Sequence, residues 1–470
     1  MQMFIAGKWV DKQDVIEVRN PYDNSLVDTV PRADEADVEK AIRSAQAGFK
    51  IMRDMPAHKR AEILRLTSER IREQSEDFAH VLVREVGKTI REARGEVARA
   101  VQAFTVASEE AKRIRGQTIP FDAVAAGEGR SGYYMRVPAG VVLAVTPFNF
   151  PLNLAAHKLA PAIAAGNSVI LKPASLTPLA DIMLGQAMLH AGLPEDALNI
   201  ITGPGNIVGE LLARDPRIRV VTFTGSVDVG AQIAASAGLK KISMELGSNS
   251  AVILMDDCDL TAAIGRIVTG AYAVAGQVCI SVQRLIVHEA IYDRFLDEFV
   301  RQVKKLSVGD PMNETTDVGT MISENAASRA EEWIVQAVAQ GARCLTDVKR
   351  QGTVLHPTVL TEVTEQMKVF SEEVFAPLVT VNRCGNLSQA IELANHSRYG
   401  LQAGIYTRSL SNAFEAVRTL DVGGVIINDI PSFRVDLMPY GGMKDSGVGR
   451  EGLKYAIEEM TEIKLVCFKH

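Results

Sequence analysis

The sequence predicts an α/β protein built from two mainly parallel sheets and a small β arm. Short apolar strands alternate with helices between residues 140 and 230, as in GVVLAVT, SVILKP and RVVTFTG. A second alternating set runs from SAVILMD, near residue 250, to GGVIIN, near residue 428. Strands joined by crossover helices form a parallel sheet covered on both faces. The first set is therefore expected to be a doubly wound, Rossmann-like region.

The N-terminal part of the chain is predicted to be helical. Between Ala33 and Arg115 apolar residues recur at spacings of three and four, as in AEILRLTSERIREQSEDFAHVL, which is the period of amphipathic helices. That period is lost between Gly116 and Met135, where glycines and SGYYMRV favour a projecting loop or ribbon. The C-terminal KLVCFKH is expected to be a final strand that pairs with another sheet edge.

These patterns divide the chain into three parts. Residues 1–116 and 136–247 are assigned to the first α/β domain, residues 248–455 to the second, and residues 117–135 and 456–470 to the arm. No low-complexity linker separates the parts, so the domains are expected to pack tightly. A ligand cleft is expected at their interface.

Composition excludes several classes of protein. The 470 residues are 47% hydrophobic and 23% charged, which is typical of a globular protein with more than one domain. The net charge of -6 and the mixed signs offer no basic stripe for a nucleic acid. The chain shows neither a targeting segment nor an apolar run of about 18 residues, so we expect no membrane partner and a cytoplasmic location. The five cysteines lack metal-ligand spacing, so no metal site and no disulfide framework is expected.

Two strand ends are candidates for nucleotide binding. The usual G-x-G-x-x-G fingerprint is absent, but RVVTF leads into Gly225, Ser226 and a helix, where backbone amides and a hydroxyl could bind a phosphate. The alternative is an ordinary turn in which Ser226 caps the helix. Lys172 follows the strand SVIL, at the edge where open α/β sheets bind ligands. It is either a ligand of the adenosine ribose or a solvated lysine.

Three further side chains have the chemistry of covalent catalysis. Asn149, in TPFNFP, is either an oxyanion donor or a cap for the helix that begins near Leu152. Glu245 lies in an apolar stretch where burial would raise its pKa and make it a base near neutral pH, although most such residues are paired or exposed. Cys279, in AGQVCIS, follows a turn whose backbone amides and partial exposure could favour the thiolate. The alternative for this cysteine is a small buried hydrophobe.

Together and in this order, the motifs resemble those of the aldehyde dehydrogenase superfamily. They are TPFNFP, LKPAS, FTGS, MELGSNS, GQVCIS, SEEVFAPL and PYGGMKDSG, and the similarity covers the whole chain. EARGEVARA, EEAKRIRGQTIP and SFRVDLMPYGG resemble the subgroup of lactaldehyde, phosphonoacetaldehyde and non-phosphorylating glyceraldehyde-3-phosphate dehydrogenases. The resemblance implies a cofactor domain, a catalytic domain and an oligomerisation arm. It also implies oxidation of a small aldehyde to its carboxylic acid with NAD or NADP.

The resemblance implies a role for each candidate residue. Cys279 would be the nucleophile that forms a thioester, Asn149 the oxyanion donor, and Glu245 the base that activates water. The residues expected at the cofactor are Pro147, Phe148, Lys172, Ser175, Gly225, Ser226, Glu373 and Phe375. Among them, Lys172 would bind the adenosine ribose, the Gly225 turn the pyrophosphate, and Glu373 with Phe375 the nicotinamide riboside.

Three positions depart from the commonest family pattern. Ser175 stands where NAD-preferring members carry Glu, which removes a carboxylate that would repel a ribose 2′-phosphate, so NAD and NADP are both candidates. Ala376 replaces a glycine and should need only modest repacking. Val278 stands where members that bind phosphate-bearing aldehydes often carry Arg, which argues against a strong phosphate anchor there.

Arg99, His157 and Arg434 are the candidate substrate contacts, because they resemble channel residues of members that act on phosphorylated or phosphonate aldehydes. The alternative for either arginine is a structural ion pair. We expect a small polar or anionic aldehyde.

Two other functions fit the same residues less well. A CoA-acylating dehydrogenase typically lacks the carboxylate that Glu245 provides, and a non-catalytic protein with this fold need not keep Cys279 and Asn149. By resemblance, the arm predicts a homodimer or a homotetramer.

Overall fold

A helical layer and several short strands make up the first 138 residues. The computed structural model describes residues 1–470. In chain order the elements are β1 (Met3–Ile5), β2 (Lys8–Val10), β3 (Val15–Arg19), β4 (Leu26–Pro31), α1 (Glu35–Asp54), α2 (Ala57–Glu73), α3 (Ser75–Val86), α4 (Ile90–Glu110), β5 (Gln117–Thr118) and β6 (Arg130–Pro138). Asp34 and Thr89 begin α1 and α4 with reciprocal capping boxes, which satisfy the free amides of each first turn.

The next segment alternates strands and helices, as predicted. Its elements are β7 (Val141–Val145), α5 (Pro151–Ala165), β8 (Ser168–Lys172), α6 (Leu179–His190), β9 (Leu198–Ile200), α7 (Glu210–Arg214), β10 (Ile218–Thr224), α8 (Val227–Ala237) and β11 (Lys241–Glu245). Helix α5 is buried along its whole length. It packs against α2, α4 and α15, the last helix of the chain, which spans Leu453–Glu459.

The remaining elements form the second α/β region and return to the first. They are β12 (Ala251–Leu254), α9 (Leu260–Tyr272), β13 (Arg284–His288), α10 (Glu289–Val303), α11 (Glu324–Ala339), β14 (Arg343–Cys344), β15 (Arg350–Gln351), β16 (Val354–Leu355), β17 (Thr358–Thr361), α12 (Lys368–Ser371), β18 (Leu378–Cys384), α13 (Leu387–Asn395), β19 (Tyr399–Gly400), β20 (Gln402–Tyr406), α14 (Leu410–Thr419), β21 (Gly424–Ile427), β22 (Met443–Lys444), β23 (Gly447–Val448), α15 and β24 (Thr461–Lys469).

Two large sheets organise these elements. The first has the order β2-β1-β9-β8-β7-β10-β11-β23, and its five central strands are parallel. The second has the order β14-β17-β18-β13-β12-β20-β21 and is parallel except at β14. Helices cover both sheets, so the predicted α/β class is confirmed. Strand β23 lies in residues assigned to the second domain, yet it pairs with β11 of the first sheet and carries the C-terminal segment to that edge.

The predicted ribbon is a three-stranded antiparallel sheet in the order β24-β6-β5. Strand β24 pairs with β6 over nine residues, from Thr461 opposite Pro138 to Lys469 opposite Arg130. Apolar side chains of both strands are exposed, among them Met135, Leu465 and Phe468.

None of the helices is long and apolar enough to cross a membrane.

Candidate active site

The first sheet brings several predicted residues to one edge. In this sheet the chain proceeds from β7 outward through β8 to β9, and then returns to β10 on the other side of β7. Open α/β sheets bind ligands at the carboxyl ends of their strands, where the strand order reverses in this way. Asn149 follows β7, Gly225 follows β10, and the backbone N–H of Gly225 donates to the carbonyl of Glu245 at 3.1 Å. These turns form one side of the candidate site.

Cys279 reaches the site from the second domain on a strained turn. After α9, Val274 and Ala275 adopt left-handed backbone conformations, with φ of 50° and 52°. The N–H of Val274 donates to the Glu92 carboxylate at 2.7 Å. At Gly276, φ is +72° and a Cβ would lie 2.0 Å from the carbonyl oxygen of Ala376, so a glycine is required there. The turn therefore fixes the path of the chain from the end of α9 to Cys279.

The protonation of Cys279 differs from the sequence-based expectation. Its thiol is half-buried beside Val278, and burial raises its pKa to about 11. Glu373 and Glu245 add to this effect, whereas Tyr440 and Arg434 oppose it. The predicted preference for the thiolate was wrong, because loss of hydration disfavours the anion more than the nearby donor and cation favour it. The thiol is the resting form near neutral pH.

Asn149 faces the turn that carries Cys279. Its side-chain NH2 donates to the backbone carbonyl of Gln277 at 2.8 Å, across the domain boundary. Helix α5 begins at Pro151 after Phe150, and no side chain caps it, so the capping alternative for Asn149 is not observed. The Asn149 amide uses one of its two hydrogens in this contact. The second hydrogen is available to a bound ligand.

Glu245 ends β11 as a buried carboxyl group, and neither of its oxygens has a hydrogen-bond partner. Burial raises its pKa well above the ordinary value, and the neighbouring Glu451 carboxylate adds to the increase. Arg434 and Lys158 act in the opposite direction. The predicted rise in the pKa of Glu245 is confirmed.

A buried ion pair near Glu245 escaped the sequence analysis. Lys158 donates to Glu451 at 2.9 Å and to Thr224 at 2.7 Å, and both charged side chains are almost fully buried. Burial alone would raise the pKa of Glu451, but Lys158 and Arg434 outweigh it and hold that pKa below the ordinary value. A lysine in the apolar helix LNLAAHKLAPAIAA was the signal in the sequence, because an unpaired charge is rarely buried.

The last residue of β8 and the turn after it form the end of the site predicted for the adenosine ribose. Lys172 is 4% exposed, so it is not a solvated lysine. Burial lowers its pKa to about 8, and its one hydrogen-bond partner is the carbonyl of Pro173 at 2.9 Å. The Ser175 hydroxyl donates to the carbonyl of Gly203 at 2.9 Å. Lys172 therefore retains two N–H donors for a ligand.

The turn after β10 has the geometry expected of a phosphate site. Gly225 is half-buried, and a Cβ there would lie 2.4 Å from the ring of Phe223, so a larger residue would have to displace that ring. Ser226 is exposed at the start of α8, and its hydroxyl accepts from the backbone N–H of Val229 at 3.4 Å. The capping alternative for Ser226 is thus observed. A long cap bond leaves the first amides of α8 able to bind an anion.

A third group of predicted cofactor residues lies between the two domains. Glu373 accepts from the backbone N–H of Ser248 at 2.9 Å, and burial raises its pKa to about 7. Phe375, with φ of 54°, packs edge-on against Phe148, and the ring centroids are 5.8 Å apart. Pro147 precedes Phe148 in the chain and is half-buried. The contact between Phe148 and Phe375 joins the turn after β7 to the segment that carries Glu373.

The three candidate substrate residues form one cluster with two carboxylates, Asp436 and Glu451. Asp436 accepts from Arg99 at 2.9 Å and lies 2.7 Å from Nε2 of His157. Arg434 lies 3.4 Å from the other nitrogen of His157 and donates to Glu451 at 3.0 Å. Both arginines are therefore ion-paired, as the alternative interpretation expected. Each still has a buried Nε without a partner, and burial, reinforced by Arg434, lowers the pKa of His157.

Tyr440 connects this cluster to the thiol and was also missed from the sequence. Its hydroxyl lies 3.1 Å from the sulfur of Cys279, and the guanidinium of Arg434 lies 3.8 Å from its ring centroid. Cys279, Tyr440 and Arg434 thus form one continuous set of contacts. Tyr440 and Cys279 are 161 positions apart, so no local pattern in the sequence reveals their contact.

The fold and site define an α/β protein with two large, mainly parallel sheets and with candidate residues at the carboxyl ends of the first, doubly wound sheet. A model of the aldehyde dehydrogenase family matches residues 9–466. The chain belongs to the aldehyde dehydrogenase family, as the motifs predicted, and it is an NAD(P)-dependent aldehyde dehydrogenase.

Individual relatives match along nearly the whole chain. A 3-sulfolactaldehyde dehydrogenase from Priestia aryabhattai is 45% identical, with 99% of this chain and 97% of the relative covered. Aldehyde dehydrogenase 21 from Physcomitrella patens, solved with the reaction product succinate, superimposes with a TM-score of 0.97 at 42% identity, over 100% of this chain and 98% of that one. Glyceraldehyde-3-phosphate dehydrogenase GapN from Methanocaldococcus jannaschii, solved with NADP, has a TM-score of 0.94 at 37% identity, over 98% and 100%.

Proposed function

We propose that this enzyme oxidises a small anionic aldehyde to its carboxylic acid through a thioester on Cys279, which water then hydrolyses. The observation that carries the proposal is the position of Cys279. Its sulfur lies 3.1 Å from the hydroxyl of Tyr440, whose ring is covered by Arg434, and Asn149 donates to Gln277, two residues before Cys279 in the chain. A nucleophile, an amide donor and a cation thus share one site.

The first step is addition of sulfur to the aldehyde carbon. The thiol releases its proton to solvent, the thiolate forms the C–S bond, and the carbonyl electron pair moves to oxygen. The free hydrogen of the Asn149 amide and the backbone N–H of Cys279 would stabilise that oxyanion. Because the Asn149 side chain is already held by Gln277 at 2.8 Å, little reorganisation is needed.

The residues present fit a dinucleotide. The buried Lys172 with two free donors, the glycine turn at Gly225, the amides that begin α8 beyond Ser226, and the carboxyl of Glu373 each offer a group that such a ligand requires. When bound, the dinucleotide supplies the two-electron acceptor for the oxidation. Phe148 and Phe375 would shape the site around its reactive ring.

Glu245 is the proposed base for hydrolysis of the thioester. Its two oxygens have no protein partner, so once the carboxyl group has released its own proton to solvent, either oxygen can accept a proton from water. Oxygen then adds to the thioester carbon, and the C–S bond breaks with its electron pair returning to sulfur. Lys158 and Arg434 form ion pairs with Glu451 and stabilise its negative charge. That arrangement keeps a charged carboxylate beside Glu245, which raises the basicity of Glu245.

The cluster around Asp436 supports an anionic substrate. Arg434 and Arg99 each keep a buried Nε without a partner, and Arg434 stacks on the tyrosine that contacts the thiol. A carboxylate, sulfonate or phosphate of a small aldehyde would satisfy these donors. The relatives named for 3-sulfolactaldehyde and glyceraldehyde-3-phosphate, and the structure with succinate, involve anions of these kinds. Val278, apolar and half-buried, adds no charge.

We also infer that the arm joins subunits into a dimer or tetramer. Strand β24 is an edge strand, and Ile463, Leu465 and Phe468 on it are more than half exposed. Unpaired strand edges with exposed apolar side chains promote pairing with another chain. Light scattering should give a mass of at least two chains, and a monomeric mass would reject this assembly.

A panel of aldehydes tests the proposed reaction. Lactaldehyde, succinate semialdehyde, glyceraldehyde-3-phosphate, phosphonoacetaldehyde and 3-sulfolactaldehyde would be assayed with NAD and with NADP, each with and without CoA. We expect anionic aldehydes to give the highest kcat/KM, and the free acid as product. Formation of an acyl-CoA would instead favour the CoA-acylating alternative. Cys279→Ala should abolish turnover and keep cofactor binding, whereas unchanged turnover would reject the thioester.

A further inference from the structure

The hydroxyl of Tyr440 is held in place beside the Cys279 sulfur. Tyr440 is 2% exposed, and its oxygen lies 3.1 Å from that sulfur, which is within hydrogen-bonding range for sulfur. Its backbone is fixed on both sides by Glu451, with N–H to carbonyl distances of 3.1 and 2.7 Å. The guanidinium of Arg434 covers the ring at 3.8 Å. These contacts leave the phenol little freedom to turn away from Cys279.

The phenol keeps its proton at working pH, so it is the donor whenever Cys279 is a thiolate. Burial raises the pKa of Tyr440 far above its ordinary value, and the negative charges near it add to the effect. The hydroxyl therefore keeps its proton and cannot serve as a base. Arg434 over the ring makes the O–H more polar, because a nearby cation favours charge on the phenol oxygen.

We propose that Tyr440 is a catalytic hydrogen-bond donor to Cys279. Its hydroxyl stabilises the thiolate before attack on the aldehyde, and again when the sulfur leaves the thioester carbon. The assignment rests on the proposed role of Cys279 as nucleophile. A thiolate accepts a much stronger hydrogen bond than a thioester sulfur. The bond therefore strengthens as the C–S bond breaks, and an interaction that strengthens toward the transition state increases the rate. The phenol O–H bond stays intact throughout.

Alkylation of Cys279 by iodoacetamide measures this interaction without aldehyde or cofactor. The rate at this one cysteine would be followed by peptide mass spectrometry across pH, for the wild type and for Tyr440→Phe. Phe keeps the ring under Arg434 and removes only the hydroxyl. We expect the inflection of the rate to move to higher pH, the rate near pH 8 to fall about tenfold, and kcat to fall with the KM for cofactor unchanged.

Tyr272→Phe is the matched control. Tyr272 is another buried tyrosine of the second domain, and its hydroxyl donates to the carbonyl of Thr358 at 3.2 Å. Its replacement removes a buried hydroxyl from a place where no reacting atom lies. The inflection for Cys279 should stay at the wild-type pH, which separates a specific effect of Tyr440 from a general effect of loosening the fold.

A second variant keeps the test decisive if Tyr440→Phe does not fold. Incorporation of 3-fluorotyrosine at position 440 makes the phenol more acidic and a better donor, so the inflection should move to lower pH. An inflection that is unchanged in every folded variant would overturn the role of Tyr440. If alkylation of Cys279 leaves aldehyde oxidation intact, the proposed function fails instead, so the two failures are distinguishable.

Discussion

The ammonium nitrogen of Lys88 lies 2.6 Å from the backbone carbonyl oxygen of Asn149. Lys88 is buried, pairs with Glu96, and lies 3.9 Å from the ring centroid of Phe150. Glu96 in turn accepts from the backbone N–H of Asn153 at 3.0 Å. One buried ion pair therefore holds both the turn that carries the oxyanion donor and the first turn of α5.

Lys88→Met should lower kcat by about tenfold or more, because the Asn149 amide would lose its fixed position and small displacements weaken oxyanion stabilisation strongly. It should also cost about 3 kcal/mol of stability, since Glu96 is left buried without its cation. Steady-state kinetics and urea unfolding measure the two effects.

The double variant Lys88→Met, Glu96→Gln separates the effect of Lys88 on the position of Asn149 from its effect on the free energy of unfolding. The neutral amide removes the unpaired charge and can still accept from Asn153, so most of the lost stability should return. The kcat should stay low. A double variant with the wild-type kcat would show that Lys88 has no part in positioning Asn149.

Glu245→Gln should slow hydrolysis more than oxidation, because an amide cannot accept a proton from water. We expect a burst of NAD(P)H close to one equivalent per active site, followed by a steady rate reduced about 100-fold to 1,000-fold. Stopped-flow absorbance would record the burst, and intact-protein mass spectrometry would detect the acyl adduct.

Glu85→Gln serves as the control for that kinetic pattern. Glu85 is also a buried carboxyl with a raised pKa, but it accepts from the backbone N–H groups of Leu179 and Ala180 at the start of α6. Its variant should show a single kinetic phase. A linear progress curve and no adduct for Glu245→Gln would contradict the role given to Glu245.

Ser175→Glu should change cofactor preference toward NAD. The Ser175 side chain is small and neutral, and its hydroxyl donates to the carbonyl of Gly203. It therefore leaves room for either cofactor. A carboxylate there would repel a ribose 2′-phosphate, and the ratio of kcat/KM for NADP over NAD should fall about tenfold or more. Ser175→Ala, which removes only the hydrogen bond, should leave the ratio near the wild-type value. Equal changes in the two variants would refute the electrostatic argument.

Glu85 should make stability depend on pH. Burial raises its pKa to about 8 in the folded protein, above the ordinary carboxyl value of 4.5. Folding then takes up a proton between these values, so the stability contributed by this group is fully present below about pH 4.5 and is lost as pH rises toward 8. The expected slope is about 1.4 kcal/mol per pH unit.

Urea unfolding of the wild type and of Glu85→Gln between pH 5 and 9 measures that contribution. The wild type should lose stability relative to the variant up to about pH 8, and the difference should then level off. A difference that is constant across this range would contradict a raised pKa for Glu85.

The sequence by itself determined the elements and most of the site. Short apolar runs identified β7, β8 and β10, and the three-and-four spacing of apolar residues identified the helices from α1 to α4. Both signals depend only on residues that are close together in the sequence. Asn149, Lys172 and Gly225 lie at or just after the ends of these strands, and so at one edge, since parallel strands end together. Glu245 was singled out by its apolar context, and it lies at the end of β11. Cys279 was singled out by its motif and its order among the others.

The tertiary structure alone decided how these groups are charged and supported. His157 and Asp436 are 279 positions apart, and Tyr440 reaches Cys279 across 161 positions, so no local pattern records either contact. The same holds for Lys88 beneath Asn149, which are 61 positions apart. The high pKa of the Cys279 thiol arises from the protein packed around it. Hydration and charge depend on neighbours in space, and a periodic sequence pattern specifies only which face of an element is buried.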